Sequence, residues 1–147
     1  MSIGLRHPPA KPATIPAEAN KSRDLQTDAL LARAAYEYRR EDFKKAASIA
    51  RYLVTTQGHS EAMRIFASAS HRAGDDHAAI ETYPRALQAF PEDLGLLVGY
   101  AELLLDRHDF EGAAKHLRRA LELDPGAADP AGARARVLIV KASDAGG

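Results

Sequence analysis

The side chains best able to do chemistry in this sequence are six histidines and a short run of hydroxyls and carboxylates around residue 70. A metal held by a helix needs ligands at i, i+3 or i+4, so that two donors share one face. His71 and His77 are separated by the turn-forming residues Ala73-Gly74-Asp75, and His108 and His116 stand eight positions apart with no third ligand in step. The spacing therefore assigns no metal site, and the histidines read as surface imidazoles. Ser68, Ser70, His71 and Asp75 supply the residue types of a hydrolase triad. They crowd onto one helix and its turn, however, with no nucleophile elbow and no oxyanion hole. No Gly-rich phosphate loop followed by Lys-Ser or Lys-Thr is present. The expectation is a chain that is not an enzyme and needs no cofactor.

Charge points the same way. The cations Arg39, Arg40, Lys44, Lys45 and Arg51 form the best candidate for a nucleic-acid surface, but Glu37, Glu41 and Asp42 interleave with them. Such a pattern describes a solvated helical face. Over the whole chain 20 basic residues balance 20 acidic ones, whereas phosphate binding calls for a cationic excess. No nucleic-acid partner is expected.

Whatever the function, small apolar residues must build the frame. Apolar residues make up 46% of the 147 positions, aromatics only 6%, and Trp and Cys are absent. Alanine and leucine favour helices over sheets, and the lack of Cys excludes a disulfide framework. The longest apolar stretch, near Leu94 to Ala101, contains two glycines and is far too short to span a membrane. The opening Met-Ser-Ile-Gly-Leu-Arg lacks the apolar core of a secretory signal, so a cytoplasmic protein with no membrane partner is expected. Pro8, Pro9, Pro12 and Pro16 make residues 1–23 read as a flexible arm.

Beyond the arm, Leu31, Ala34, Ala35 and Tyr38 fall at i, i+3, i+4 and i+7, as do Leu97, Tyr100, Ala101 and Leu104. That is the apolar stripe of an amphipathic helix. Polar breaks around Glu41, Gly74 and His108 are short enough for tight turns between antiparallel helices. Laying residues 60–91 over 94–125 pairs Ala67 with Ala101, Asp75 with Asp109, Ala79 with Ala113, Arg85 with Arg119, Ala86 with Ala120, Leu87 with Leu121 and Pro91 with Pro125. An earlier copy spans about 27–58, with its first helix one residue out of register. Residues 129–142 read as a terminal helix, entered through Asp129 and Pro130, whose Val137, Leu138 and Val140 would cap the last repeat. Residues 143–147 read as a disordered tail. Pro84 falls inside a helix, removes the bond to the carbonyl of Ile80, and predicts a kink or local break near Tyr83.

Paired helices in 34-residue units, with alanines at these places and a closing proline, resemble the tetratricopeptide repeat. The resemblance implies an all-α fold: a right-handed superhelical stack of three hairpins plus a C-terminal capping helix, with a concave groove that binds another polypeptide. On the family pattern, the groove is lined by the first helix of each hairpin. Opposite the buried stripe those helices carry Ala32, Tyr36 and Arg39; Arg64, Ser68 and His71; and Val98, Glu102 and Leu105. These nine residues are the candidate protein-binding site, with Arg39, Arg64 and His71 orienting a client and Tyr36, Val98 and Leu105 supplying contact area. Asn20 is the sole asparagine, which sets aside the asparagine-based grip on chaperone C-termini. The runs beginning at Phe43, Ala73 and Tyr100 are similar to the small tetratricopeptide chaperones of bacterial type III secretion. That implies a translocator or needle subunit as client and leaves room for a homodimer. The alternative is an assembly adaptor in a multiprotein complex with no secreted client.

Overall fold

The computed structural model describes residues 17–146. Among them the chain forms seven helices and no strand: α1 (Ala17–Arg39), α2 (Phe43–Gln57), α3 (Ser60–Arg72), α4 (Asp76–Ala89), α5 (Leu94–Asp106), α6 (Phe110–Leu123) and α7 (Pro130–Gly146). Helices α1/α2, α3/α4 and α5/α6 are antiparallel hairpins, and α7 packs on both α6 and α5. Helices α1, α3, α5 and α7 touch in sequence and make one layer, while α2 and α4 bridge each hairpin to the next. The fold is thus an all-α stack of tetratricopeptide-like hairpins.

At both ends of the described residues helix extends further than the sequence pattern predicts. Residues 17–23, expected in the arm, belong to α1, whose Ala, Glu, Lys and Arg residues favour helix and whose Glu18 faces the helix N-terminus. Residues 1–16 of the expected arm lie outside the described residues. At the other end α7 continues to Gly146 where a tail was expected from 143. Ala142, the last residue of the expected helix, is buried at 2% exposure, and the added residues 143–146 are exposed.

Each hairpin turn has the same construction. The residues at its centre, Glu41, Gly74 and His108, all adopt positive φ, at 65°, 90° and 61°. The next residue is an aspartate whose N–H reaches back to the preceding helix: Asp42 to Glu37 O at 2.9 Å, Asp75 to Ser70 O at 2.8 Å and Asp109 to Leu104 O at 2.8 Å. These are Schellman closures. The same aspartates then cap the following helix, accepting from the N–H groups of Lys45, Ala78 and Gly112. A single residue therefore satisfies orphan groups of two helices.

The core alternates small and large side chains. Ala34, Ala67 and Ala101 are fully buried at equivalent places on the first helices, as are Ala46, Ala79 and Ala113 on the second. The first-repeat alanines each lie 33 residues before their counterparts, so the whole first hairpin, not only its first helix, is displaced by one position. Leu53, Leu96, Leu103 and Leu117 are buried to 1% exposure or less, each contributing roughly 1.5–3 kcal/mol. No break occurs at Tyr83: α4 runs uninterrupted from Asp76 to Ala89 with Pro84 inside it. Pro84 is exposed while Ala79, Tyr83 and Ala86 beside it are buried. Packing on that side holds the helix across the missing bond.

Candidate binding cleft

The layer formed by α1, α3, α5 and α7 carries a cleft, and its character changes along its length. Between α1 and α3 lies a pocket of about 200 Å³ lined by Ala35, Tyr38, Arg39, Arg64, Ile65 and Ser68. The Tyr38 and Ser68 hydroxyls hydrogen-bond to each other at 2.7 Å, tying the two helices together. Past Arg64 the cleft continues as a wider hollow of about 620 Å³ bordered by Glu92, Leu94, Gly95, Asp129 and Ala131.

The Arg64 stem crosses the face of α5 at Gly95. A Cβ there would stand 2.5 Å from Arg64 Cδ. One turn on, a Cβ at Gly99 would stand 2.6 Å from Tyr83 Oη. The two glycines thus admit side chains from α3 and α4 against the α5 backbone. Tyr83 is 1% exposed and stacks on Tyr100 at 5.5 Å. Burial pushes its phenol well above the ordinary value of 10, with Ser68 acting in the opposite direction.

At the far end the cleft is filled. Val98, at 5% exposure, belongs to the core cluster that includes Ala135, Leu138 and Ala142 of α7, and Leu105 packs against that cluster. Glu102 accepts from Arg134 of α7 at 3.1 Å, and His71 meets Asp106 at 2.7 Å, joining α3 to α5.

The nine sequence candidates therefore divide. Arg39, Arg64 and Ser68 line the open pocket, and His71 and Glu102 sit on the same layer in cross-helix pairs. Val98 is buried in the cluster that includes α7, and Leu105 is half-buried against that cluster, so the two form no exposed apolar patch. Ala32 is exposed outside the pocket, and Tyr36 lies on the outer side of α1 with the guanidinium groups of Arg33 and Arg40 at 5.8 and 5.4 Å from its ring. Ala35 and Tyr38, placed by periodicity on the buried stripe, line the pocket instead. The Tyr38 hydroxyl is the signal that could have placed it, since a phenol near a core needs a polar partner. Val137 and Val140, expected to cap the last repeat, are 50% and 57% exposed; Leu138 alone of the three is buried.

The remaining candidates for chemistry are dispersed. Asp75 caps α4, Ser68 bonds Tyr38 and His71 bonds Asp106. Among the described residues no three His, Cys, Asp or Glu side chains are grouped to hold a metal, and no helix is long and apolar enough to cross a membrane. In the basic cluster Glu37 is not a solvated neighbour. It is 1% exposed and paired with Arg33 at 2.9 Å and Lys45 at 3.7 Å, while Arg51 lies over the Phe66 ring.

Comparison with known proteins agrees with this architecture. Residues 70–137, from the last turn of α3 into α7, match the family model described as tetratricopeptide repeat. The match covers 68 of the 147 residues and supports a protein that contains tetratricopeptide repeats and serves as a protein-binding module. No curated protein matches it.

Proposed function

We propose that this chain is a holding protein that acts without catalysis in the cytoplasm and carries an export-bound polypeptide along its concave layer. The observation that carries the reading is the pocket between α1 and α3, where polar and apolar groups face an open cleft that no element among the described residues fills. Such a surface suits an extended or helical segment with apolar anchors. The export client rests on the likeness of the Phe43, Ala73 and Tyr100 runs to small secretion chaperones.

Purification of the tagged chain from its native host tests this reading. One secreted protein recovered in equimolar amount is the expected result. Arg39→Glu combined with Arg64→Glu should release it while circular dichroism stays unchanged. Recovery of a large assembly, undisturbed by the double variant, would replace the chaperone with an adaptor.

A further inference from the structure

The pocket between α1 and α3 has a cationic rim with no short ion pair, although Glu92, Asp93 and Asp129 border the adjoining hollow beside Arg64. Arg39 has no ion-pair or hydrogen-bond partner among the described residues. Arg64 has one, the exposed Glu61 at 3.9 Å, with both side chains nearly half exposed. That pair is long and wet, and contributes little. Two other pairs on this layer are short: Glu102 with Arg134 at 3.1 Å and His71 with Asp106 at 2.7 Å. Two guanidinium groups from different helices flank a floor made by Ala35 and Ile65. The planar fork of arginine fits a carboxylate better than any other side-chain group.

We propose that Arg39 and Arg64 bind the side-chain carboxylate of an Asp or Glu within the client segment, with a small apolar neighbour of that residue seated on Ala35 and Ile65. The inference rests on the concave layer being the client site. An internal carboxylate is favoured over a chain terminus because the cleft continues beyond Arg64 into the hollow bordered by Gly95 and Ala131. A client occupying both hollows passes Arg64 in mid-chain. Gly95 is the positioning residue, since it admits the Arg64 stem across α5.

The test uses short synthetic peptides, acetylated and amidated, in a Ser-Ala-Leu frame that differ only in a central Glu, Gln or Lys. A further Gln peptide keeps its free C-terminal carboxylate. Each is titrated into the full chain while amide resonances are followed by NMR. The Glu peptide should shift Ile65 and Ser68 and bind about tenfold more tightly than the Gln peptide, an advantage that shrinks in high salt. Arg39→Gln or Arg64→Gln should remove most of that advantage. Gly95→Ala should weaken it with both charges retained. Equal binding of the Glu and Gln peptides in the cleft overturns the carboxylate assignment and leaves the concave reading standing. Preference for the free terminus overturns the internal source, and shifts confined to α2, α4 and α6 overturn both readings.

Discussion

The two ends of the layer formed by α1, α3, α5 and α7 are built from equivalent helices and have opposite characters. Between α1 and α3 the pocket is open, and among the described residues Arg39 has no ion-pair partner and Arg64 has a single distant one. Between α5 and α7 the apolar groups are covered and Glu102 has a cation at 3.1 Å. The difference comes from the side chains brought to each contact, since α3 follows α2 beside α1 just as α7 follows α6 beside α5. Arg39 and Arg64 stand at the rim of the first contact, whereas α7 brings Ala135, Leu138 and Arg134 to the second.

The closed end can be broken most severely at Leu138. Leu138→Ala removes a side chain that is 3% exposed and should cost about 2–4 kcal/mol in urea denaturation; a loss below about 1 kcal/mol would show that α7 does not hold this end shut. Gly99→Ala probes the middle of the layer. Its new Cβ meets a buried and stacked Tyr83 ring that cannot swing away, and overpacking should outweigh the gain in helix propensity by about 1–2 kcal/mol. A smaller effect separates the two ends electrostatically. Arg134→Gln should cost at most about 1 kcal/mol, because the pair with Glu102 is half exposed, whereas Arg39→Gln should leave the midpoint unchanged.

The smallest effect concerns pH behind the closed end. Burial, aided by Lys115, lowers His116 below its ordinary value of 6.5, with Asp109 opposing. The unfolded chain then binds the proton more readily, so the stability linked to His116 is complete above about pH 6.5 and is lost as pH falls through the lower folded value. Lys115, Arg118, Arg119 and Glu122 border the same hollow. His116→Gln should flatten the fall in stability between pH 7 and 5, measured as the urea midpoint; an unchanged slope would assign that fall to the carboxylates.

Periodicity and the recurring alanines made the hairpins legible, because each small residue marks a helix crossing that the fold must repeat. Asp75 and Asp109 were legible as matched positions of the repeat, but their capping role is set by the turn geometry, which the match alone does not carry. What periodicity could not supply was rotation about each helix to better than one residue. Tyr36 and Tyr38 differ by two positions on α1, yet one lies outside between arginines and the other lines the pocket. Nor could a single helix reveal that α7 would cover Val98, because that burial belongs to a pairing between distant segments. At Pro84 the expected break does not occur: the lost hydrogen bond is real, but α4 continues across it with Ala79, Tyr83 and Ala86 buried alongside.

The shared aspartate of each hairpin turn also determines where this molecule can change length. Residues 40–42, 73–75 and 107–109 are all committed, one to close a helix, one to reverse the chain and one to open the next helix. Adding or removing a residue there would turn the second helix by about 100° and present its wrong side to the first. The joints between hairpins obey no such rule, and they differ: residues 58–59, 90–93 and 124–129. Insertions and deletions are therefore admissible at the joints alone, which makes those segments the place where related chains could alter the curvature of the cleft without rebuilding any hairpin.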